Sequence, residues 1–213
     1  MEKIDRPKAS SLTSPNPLAL ICTRKPDGTA NLAAVSWWTY VSFRPGMIAF
    51  AMSKKSYTGE LVRDGGQAVL TIPGAALRDA VTVCGSCSGR DTDKAAKAGI
   101  GMRDIPGCGI RIPEHTRVAI RCSLKEYHEA GDHYLYVCAA EEVFADEKEE
   151  ALFAWNGYGK IATAVPGECS ERSRGGDPVR DQKGPPRAAL FHARGTRTYA
   201  GRFPVDKRGL DYI

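Results

Sequence analysis

Residues 30–61 constrain the fold of this chain more than any other stretch: two apolar, strand-like runs, ANLAAVSWWTYVS and MIAFAM, lead into the hydroxyl- and lysine-rich turn SKKSYTGEL. Val, Trp, Tyr and Phe favour a pleated, half-buried surface. The Arg44-Pro45-Gly46 break supplies the turn that makes the two runs adjacent antiparallel strands. The second run ends in donors: Ser53, Lys54, Lys55, Ser56 and Thr58 fall within six residues, where Gly59, Glu60, Leu61 and Val62 begin a short helical pattern. Hydroxyls, ammonium groups and free N–H groups at a helix N-terminus suit a phosphate monoester, and Trp37 and Trp38 offer flat apolar surface for a ring. The same turn also reads as a solvated corner capped by Ser56.

The rest of the chain is read as mostly β. Residues 18–23 (LALICT) form a strand, Lys25-Pro26-Asp27-Gly28 a turn, and residues 30–41 its hairpin partner. A third strand is expected over 47–52, a helix over 57–63 closed by Gly65-Gly66, and a fourth strand over 67–72. Pro73 and Gly74 open a helix running to about Cys84, and Asp91 or Thr92 caps another over 93–98 that Gly99 stops. Residues 117–127 and 133–143 alternate as a long hairpin, and 147–155 reads as a charged helix. Six or more strands with short helices between them predict a mainly β chain, a β-barrel/α+β fold in the form of a small closed or split antiparallel barrel. A parallel nucleotide-binding sheet is disfavoured, because neither GxGxxG nor GxxxxGK[ST] occurs.

A 42% hydrophobic content supports a sizeable core, and no run approaches the roughly 18–20 apolar residues of a membrane helix. Residues 1–17 lack the apolar region of a secretory signal, so a cytoplasmic protein is expected. We divide the chain into an N-terminal arm (1–13), one core domain (14–160) and a basic, Gly/Pro-rich extension (161–213). From Val165 onward ten Lys/Arg face six Asp/Glu, a composition that suits a solvated extension. Only Phe191, Tyr199, Phe203 and Tyr212 accompany that charge, too few aromatics for a nucleic-acid surface. The seven cysteines are odd in number and scattered, which argues against a disulfide framework. Cys84-Gly-Ser-Cys87 has the spacing of a redox pair or of half a metal site, without a second pair to complete the latter. Its plainer reading is two reduced, partly buried residues at a helix end.

Two further clusters stand out. Ser88-Gly89-Arg90-Asp91 precedes Lys94 by about one turn; Arg90 and Lys94 either form surface pairs with Asp91 and Asp93, each contributing about 0.3–0.5 kcal/mol, or converge on a phosphate. His133, in Gly131-Asp132-His133 at the head of a strand, is either a structural histidine or a group beside a reacting centre.

Taken in order, the proline segment before the first strand, NLAAVSWWTYVSFRPGMIAFAM, SKKSYT, SGRDTDKAAKAGI and GDHYLYV resemble the flavin reductase-like, FMN-binding split-barrel family, in its flavoredoxin-type branch, over about residues 14–145. The resemblance implies FMN as cofactor and NAD(P)H as co-substrate. It implies that Trp37, Trp38, Thr39, Tyr40, Val41 and Ser42 border the isoalloxazine ring, and that Ser53, Lys54, Lys55, Ser56, Tyr57 and Thr58 hold the ribityl phosphate. Ser88, Arg90 and Lys94 lie near the flavin on this reading, and His133 positions substrate or relays a proton. The family forms its pocket at the interface of a homodimer and passes electrons to free flavin, a metal ion, a redox protein or a partner monooxygenase. A non-catalytic FMN electron carrier and a flavin-free binding domain are the alternatives. The chain departs from the family at Ala140-Glu141-Glu142-Val143, where Gly-Glu-Val is usual, and after Trp155-Asn156-Gly157-Tyr158, a candidate lid. His192 and Tyr199 receive no role.

Overall fold

The computed structural model describes residues 1–164; the expectations for the basic extension beyond residue 164, with Cys169, His192 and Tyr199, lie outside the described residues. A short helix, α1 (Arg6–Leu12), precedes a two-residue strand, β1 (Asn16–Pro17). β2 (Ala19–Arg24) turns at Gly28, whose φ of +85° favours glycine, into β3 (Ala30–Val35). β4 (Trp38–Phe43) and β5 (Gly46–Ser53) form the hairpin expected around Pro45. Then come α2 (Tyr57–Gly65), β6 (Gln67–Pro73), a 3-10 turn (Ala75–Leu77) leading into α3 (Arg78–Ser86), and α4 (Lys94–Ala98). The small strands β7 (Met102–Arg103) and β8 (Ile112–Pro113) pair with each other. A long hairpin, β9 (Thr116–Ala130) and β10 (His133–Ala145), and the strands β11 (Leu152–Trp155) and β12 (Lys160–Thr163) complete the described chain.

Seven strands make one antiparallel sheet in the order β3-β2-β6-β9-β10-β5-β4. The expected single strand over residues 30–41 is therefore two. β3 pairs with β2 at one edge and β4 with β5 at the other, and one straight strand cannot serve both edges. Ser36 and Trp37 carry the chain across, and the Trp37 carbonyl already accepts from Ala51 N–H at 2.9 Å. The two edges are thus joined by covalent continuity, which curls the sheet into a barrel split along that seam.

The strands β2 and β6 are buried on both faces. Leu18, Leu20, Cys22 and Val69 pack outward under α3 with Leu77, Val81, Ile112 and Leu152. Ala19, Ile21, Leu70, Ile48, Phe50 and Tyr136 fill the barrel, closed by Val62 of α2. That is why LALICT reads as continuous apolar sequence rather than as an alternation.

Local signals set the helices. Ser56 Oγ accepts from Gly59 N–H at 3.2 Å, and Gly66 takes the left-handed C-cap conformation of α2. Asp93, rather than Asp91 or Thr92, caps α4, its Oδ1 accepting from Ala96 N–H at 3.0 Å. Replacing Ser56 by alanine is expected to cost about 1 kcal/mol and to lower Tm by roughly 2–4 °C in a calorimetric scan.

The charged helix expected over 147–155 is not formed. Lys148 N–H and Glu149 N–H both turn back onto Asp146, and LFAW then pairs with β1 and β12 in a second, three-stranded sheet. Leu152 and Ala154 are buried and alternate with half-buried Phe153 and Trp155, a period of two that outweighs the helix propensity of the Glu/Lys residues before it.

Candidate functional site

A cleft of about 490 Å³ opens at the split, where the end of β3 and the end of β5 part. One wall is the corner that the sequence marks. Ser53, Lys55, Ser56, Tyr57 and Thr58 all line it, as the first turn of α2 and the loop before it. Ser53 Oγ accepts from Lys55 N–H at 3.3 Å, which tightens that loop. Lys54 faces away: its ammonium pairs with Glu129 at 3.0 Å and lies 5.4 Å from the Tyr134 ring centroid. Of the two adjacent lysines, Lys55 is the one that lines the cleft.

The opposite wall is the end of α3 and the start of α4, contributing Cys84, Gly85, Cys87, Ser88, Gly89 and Lys94. Lys94 is 5% exposed, so the surface pairing with Asp93 considered for it does not occur. Its Nζ donates to the Cys84 carbonyl at 2.9 Å, and among the described residues no carboxylate pairs with it. Burial holds its ammonium below the usual lysine range, with the neighbouring Cys84 and Cys87 thiols pulling the other way. Arg90 turns outward instead. It donates to Glu60 at 2.6 Å and lies 4.5 Å from the Tyr57 ring centroid, and the Glu60 hydrogen bond holds its guanidinium above the usual range.

Gly89 explains how the walls come so close. Asn31, 1% exposed, donates through Nδ2 to Thr23 Oγ1 at 3.0 Å and to Thr58 Oγ1 at 2.8 Å. Its Oδ1 is buried with no hydrogen-bond partner among the described residues. A Cβ on Gly89 would overlap that oxygen and come within 2.8 Å of Asn31 Cγ. The backbone at 88–89 therefore rests on Asn31, and Asn31 ties it to the first turn of α2.

The mouth of the cleft is aromatic. Trp37, 56% exposed, lies 5.1 Å from the His133 ring, centroid to centroid. His133 Nδ1 meets Asp132 Oδ1 at 2.8 Å, and that hydrogen bond holds the Asp132 carboxyl below its usual range. Tyr158, from the turn between β11 and β12, lines the cleft together with Ser36, and burial raises its phenol while Ser36 acts the other way. The segment expected as a lid thus supplies Gly157 and Tyr158.

Other expected ring neighbours lie elsewhere. Trp38, Thr39, Tyr40, Val41 and Ser42 follow the crossing on β4 and do not line the cleft of this chain. Trp38 packs on the barrel core, whereas Tyr40 and Val41 are exposed beside Phe43 on an edge strand. Sequence reasoning missed the Ala33–Ser36 side of the cleft and the contribution of Cys84, Gly85 and Cys87. The signal for the first was Ala33-Ala34, small residues among bulky strand formers, followed by a lone Ser36 before two tryptophans.

The architecture is that of a split β-barrel with its cleft at the split. The chain belongs to the flavin reductase like domain family, whose profile matches residues 11–162. It is 28% identical over 150 residues to a flavin reductase of Pseudomonas putida, covering 70% of this chain and 84% of that protein. It is 31% identical over 128 residues to the uncharacterized protein YddH of Escherichia coli K12, covering 59% of this chain and 68% of that one. Flavoredoxin of Desulfovibrio vulgaris (Miyazaki F) shares the fold, with a TM-score of 0.70 at 22% identity over 83% of this chain and 100% of the other. Among the described residues no helix is long and apolar enough to cross a membrane.

Proposed function

We propose that the chain binds FMN in this cleft and serves as an NAD(P)H-dependent flavin reductase-like oxidoreductase. The observation that carries the reading is Lys94, a buried ammonium with no carboxylate partner among the described residues, lining the same cleft as the first turn of α2. Taking an ammonium out of water without an anion is costly, and a phosphate offset by Lys94, Lys55 and the hydroxyls of Ser53, Ser56 and Thr58 removes that cost. The donor set therefore fits a ribityl phosphate. The far end fits a flat ring: Ser36 and Tyr158 offer polar groups and Trp37 an apolar face.

FMN held by these residues would supply the redox chemistry, that of a ring able to take up a hydride and pass electrons on. The protein's part is binding, orientation and proton management. Asp132 holds the imidazole of His133 through Nδ1, which fixes the tautomer and leaves Nε2 to hold or move a proton at the cleft mouth. Trp37 packs beside that imidazole and narrows the approach of water and of a nicotinamide.

The exposed Tyr40, Val41 and 86%-exposed Phe43 on β4, next to Trp37, suit a second copy of the chain. A homodimer through that edge would bring the β4 residues beside a partner's cleft. FMN added to the purified protein and passed over a desalting column should remain bound, and the complex should oxidise NAD(P)H in the presence of free flavin. Retained FMN with no NAD(P)H oxidation would leave the electron-carrier function; a protein that retains no FMN would overturn the reading.

A further inference from the structure

The C-x-x-C spacing noted in the sequence places two thiols in the cleft wall, and the flavin reading gives them no task. We propose that Cys84 and Cys87 are a redox-active dithiol that exchanges with a low-molecular-weight disulfide entering the cleft, Cys87 attacking and Cys84 resolving.

Placement comes first. Cys84 sits in the last turn of α3, and Cys87 is its C-cap, with φ −140° and ψ 162°. Residues three apart at a helix end share a face and lie about 5–6 Å apart at Cβ, slightly outside the Cβ spacing of a disulfide. Cys87 has already left the helical conformation, so the remaining approach needs motion of one terminal residue. Among the described residues its thiol makes one hydrogen bond, to the Val83 carbonyl at 3.3 Å, and a thiol is a weak donor that is easily surrendered.

Access and charge then order the two sulfurs. Cys87 is half-buried and lines the cleft, whereas Cys84 is 2% exposed. Burial pushes the Cys84 thiol up to about 11 from its usual 9.0, which lowers its thiolate fraction near neutral pH about a hundredfold. An incoming disulfide therefore meets Cys87 first. Lys94 lies near both thiols, interacting electrostatically with each, and favours the anions formed as exchange proceeds. By contrast, Cys22, Cys122 and Cys138 are sealed in the cores.

The step balances as ordinary thiol–disulfide exchange. The Cys87 thiolate attacks one sulfur of R–S–S–R, forms the mixed disulfide and releases one R–S⁻. Cys84 then loses its proton to solvent and attacks Cys87 Sγ, forming the Cys84–Cys87 bond and releasing the second R–S⁻. The protein dithiol gives up two electrons and two protons; the small disulfide leaves as two thiols. Because the Cys84 carbonyl anchors Lys94, closing this bond ties the cap of α3 to the group that we assign to phosphate binding.

The test uses the full-length reduced protein, oxidised glutathione as the probe, and peptide-resolved mass spectrometry. The wild type is expected to lose two hydrogens across the 84–87 peptide. Cys84→Ser is expected to stop at a glutathione adduct on Cys87, and Cys87→Ser to react at the buried Cys84 at least roughly tenfold more slowly than the wild type reacts at Cys87, the greater nucleophilicity of the less acidic thiolate offsetting part of its lower abundance. A wild-type protein that keeps both thiols free, or that accumulates only the Cys87 adduct, overturns the proposal, and neither result needs a variant to fold. Flavin retention, measured on the same reduced sample, separates failure of the dithiol from failure of the cofactor assignment.

Discussion

Replacing Lys94 by methionine is expected to weaken FMN binding by roughly 10- to 150-fold, the loss of one charge-assisted hydrogen bond of about 1.5–3 kcal/mol, while leaving the folded protein at least as stable. The two effects part because the ammonium is stabilised by a ligand phosphate and penalised without one. In the free protein Lys94 is 5% exposed with one carbonyl as its partner among the described residues, and a methionine of similar length fills the same volume without carrying charge into the interior. The pH dependence has a definite sign. Burial lowers the folded-state value below the usual 10.5, so between that lowered value and 10.5 the unfolded chain binds more protons and stability rises with pH. Below the window the lysine is charged in both states, its penalty is constant and the slope vanishes. The Lys94→Met protein should lack this slope, which urea titrations of both proteins across the alkaline range will read as a difference. Fluorescence titration with FMN gives the affinity. An unchanged affinity would place the phosphate away from Lys94.

Much of this site was legible because its pieces are local. Ser56 is a cap with glycine three residues later, and a cap with lysines and a hydroxyl just before it marks a helix N-terminus whether or not a ligand comes. The place of the split was not legible. ANLAAVSWWTYVS has unbroken strand character, and only the pairing of its halves to opposite edges reveals the crossing at Ser36-Trp37. That crossing puts Trp37 in the cleft and Trp38 against the core, two neighbours that composition cannot distinguish. Nor does the sequence tell Arg90 from Lys94. Both are cations in one segment, yet Glu60 on α2 draws Arg90 outward, while the Cys84 carbonyl at the end of α3 takes in Lys94. Partners distant in the chain decided both directions, and spacing along a segment carries no information about them. The same limit applies to residues 147–155, where the buried alternation of Leu152 and Ala154 was present in the sequence but its partner strands were not evident.

Gly89→Ala is expected to be the most damaging small substitution in the cleft, at about 3 kcal/mol and a Tm lower by roughly 6–12 °C. Its Cβ would overlap Asn31 Oδ1. Asn31 has no free direction, since its Nδ2 holds Thr23 and Thr58 in the interior, so either those bonds break or the backbone at 88–89 lifts away. Both outcomes displace the first turn of α2 relative to the end of α3, and FMN retention should fall with stability. Gly85→Ala tests the same wall with the opposite sign. There the new Cβ meets Ala34 Cβ at 3.6 Å, an ordinary contact, within a helix where alanine is favoured over glycine by up to about 1 kcal/mol. Gly85→Ala should therefore hold or raise Tm. The Asn31 contact has its own check: with Asn31→Ala in place, Gly89→Ala should cost about 1–3 kcal/mol less than it does in the wild type. Equal costs in the two backgrounds would mean that the close approach of Gly89 to Asn31 does not set the spacing of the cleft walls.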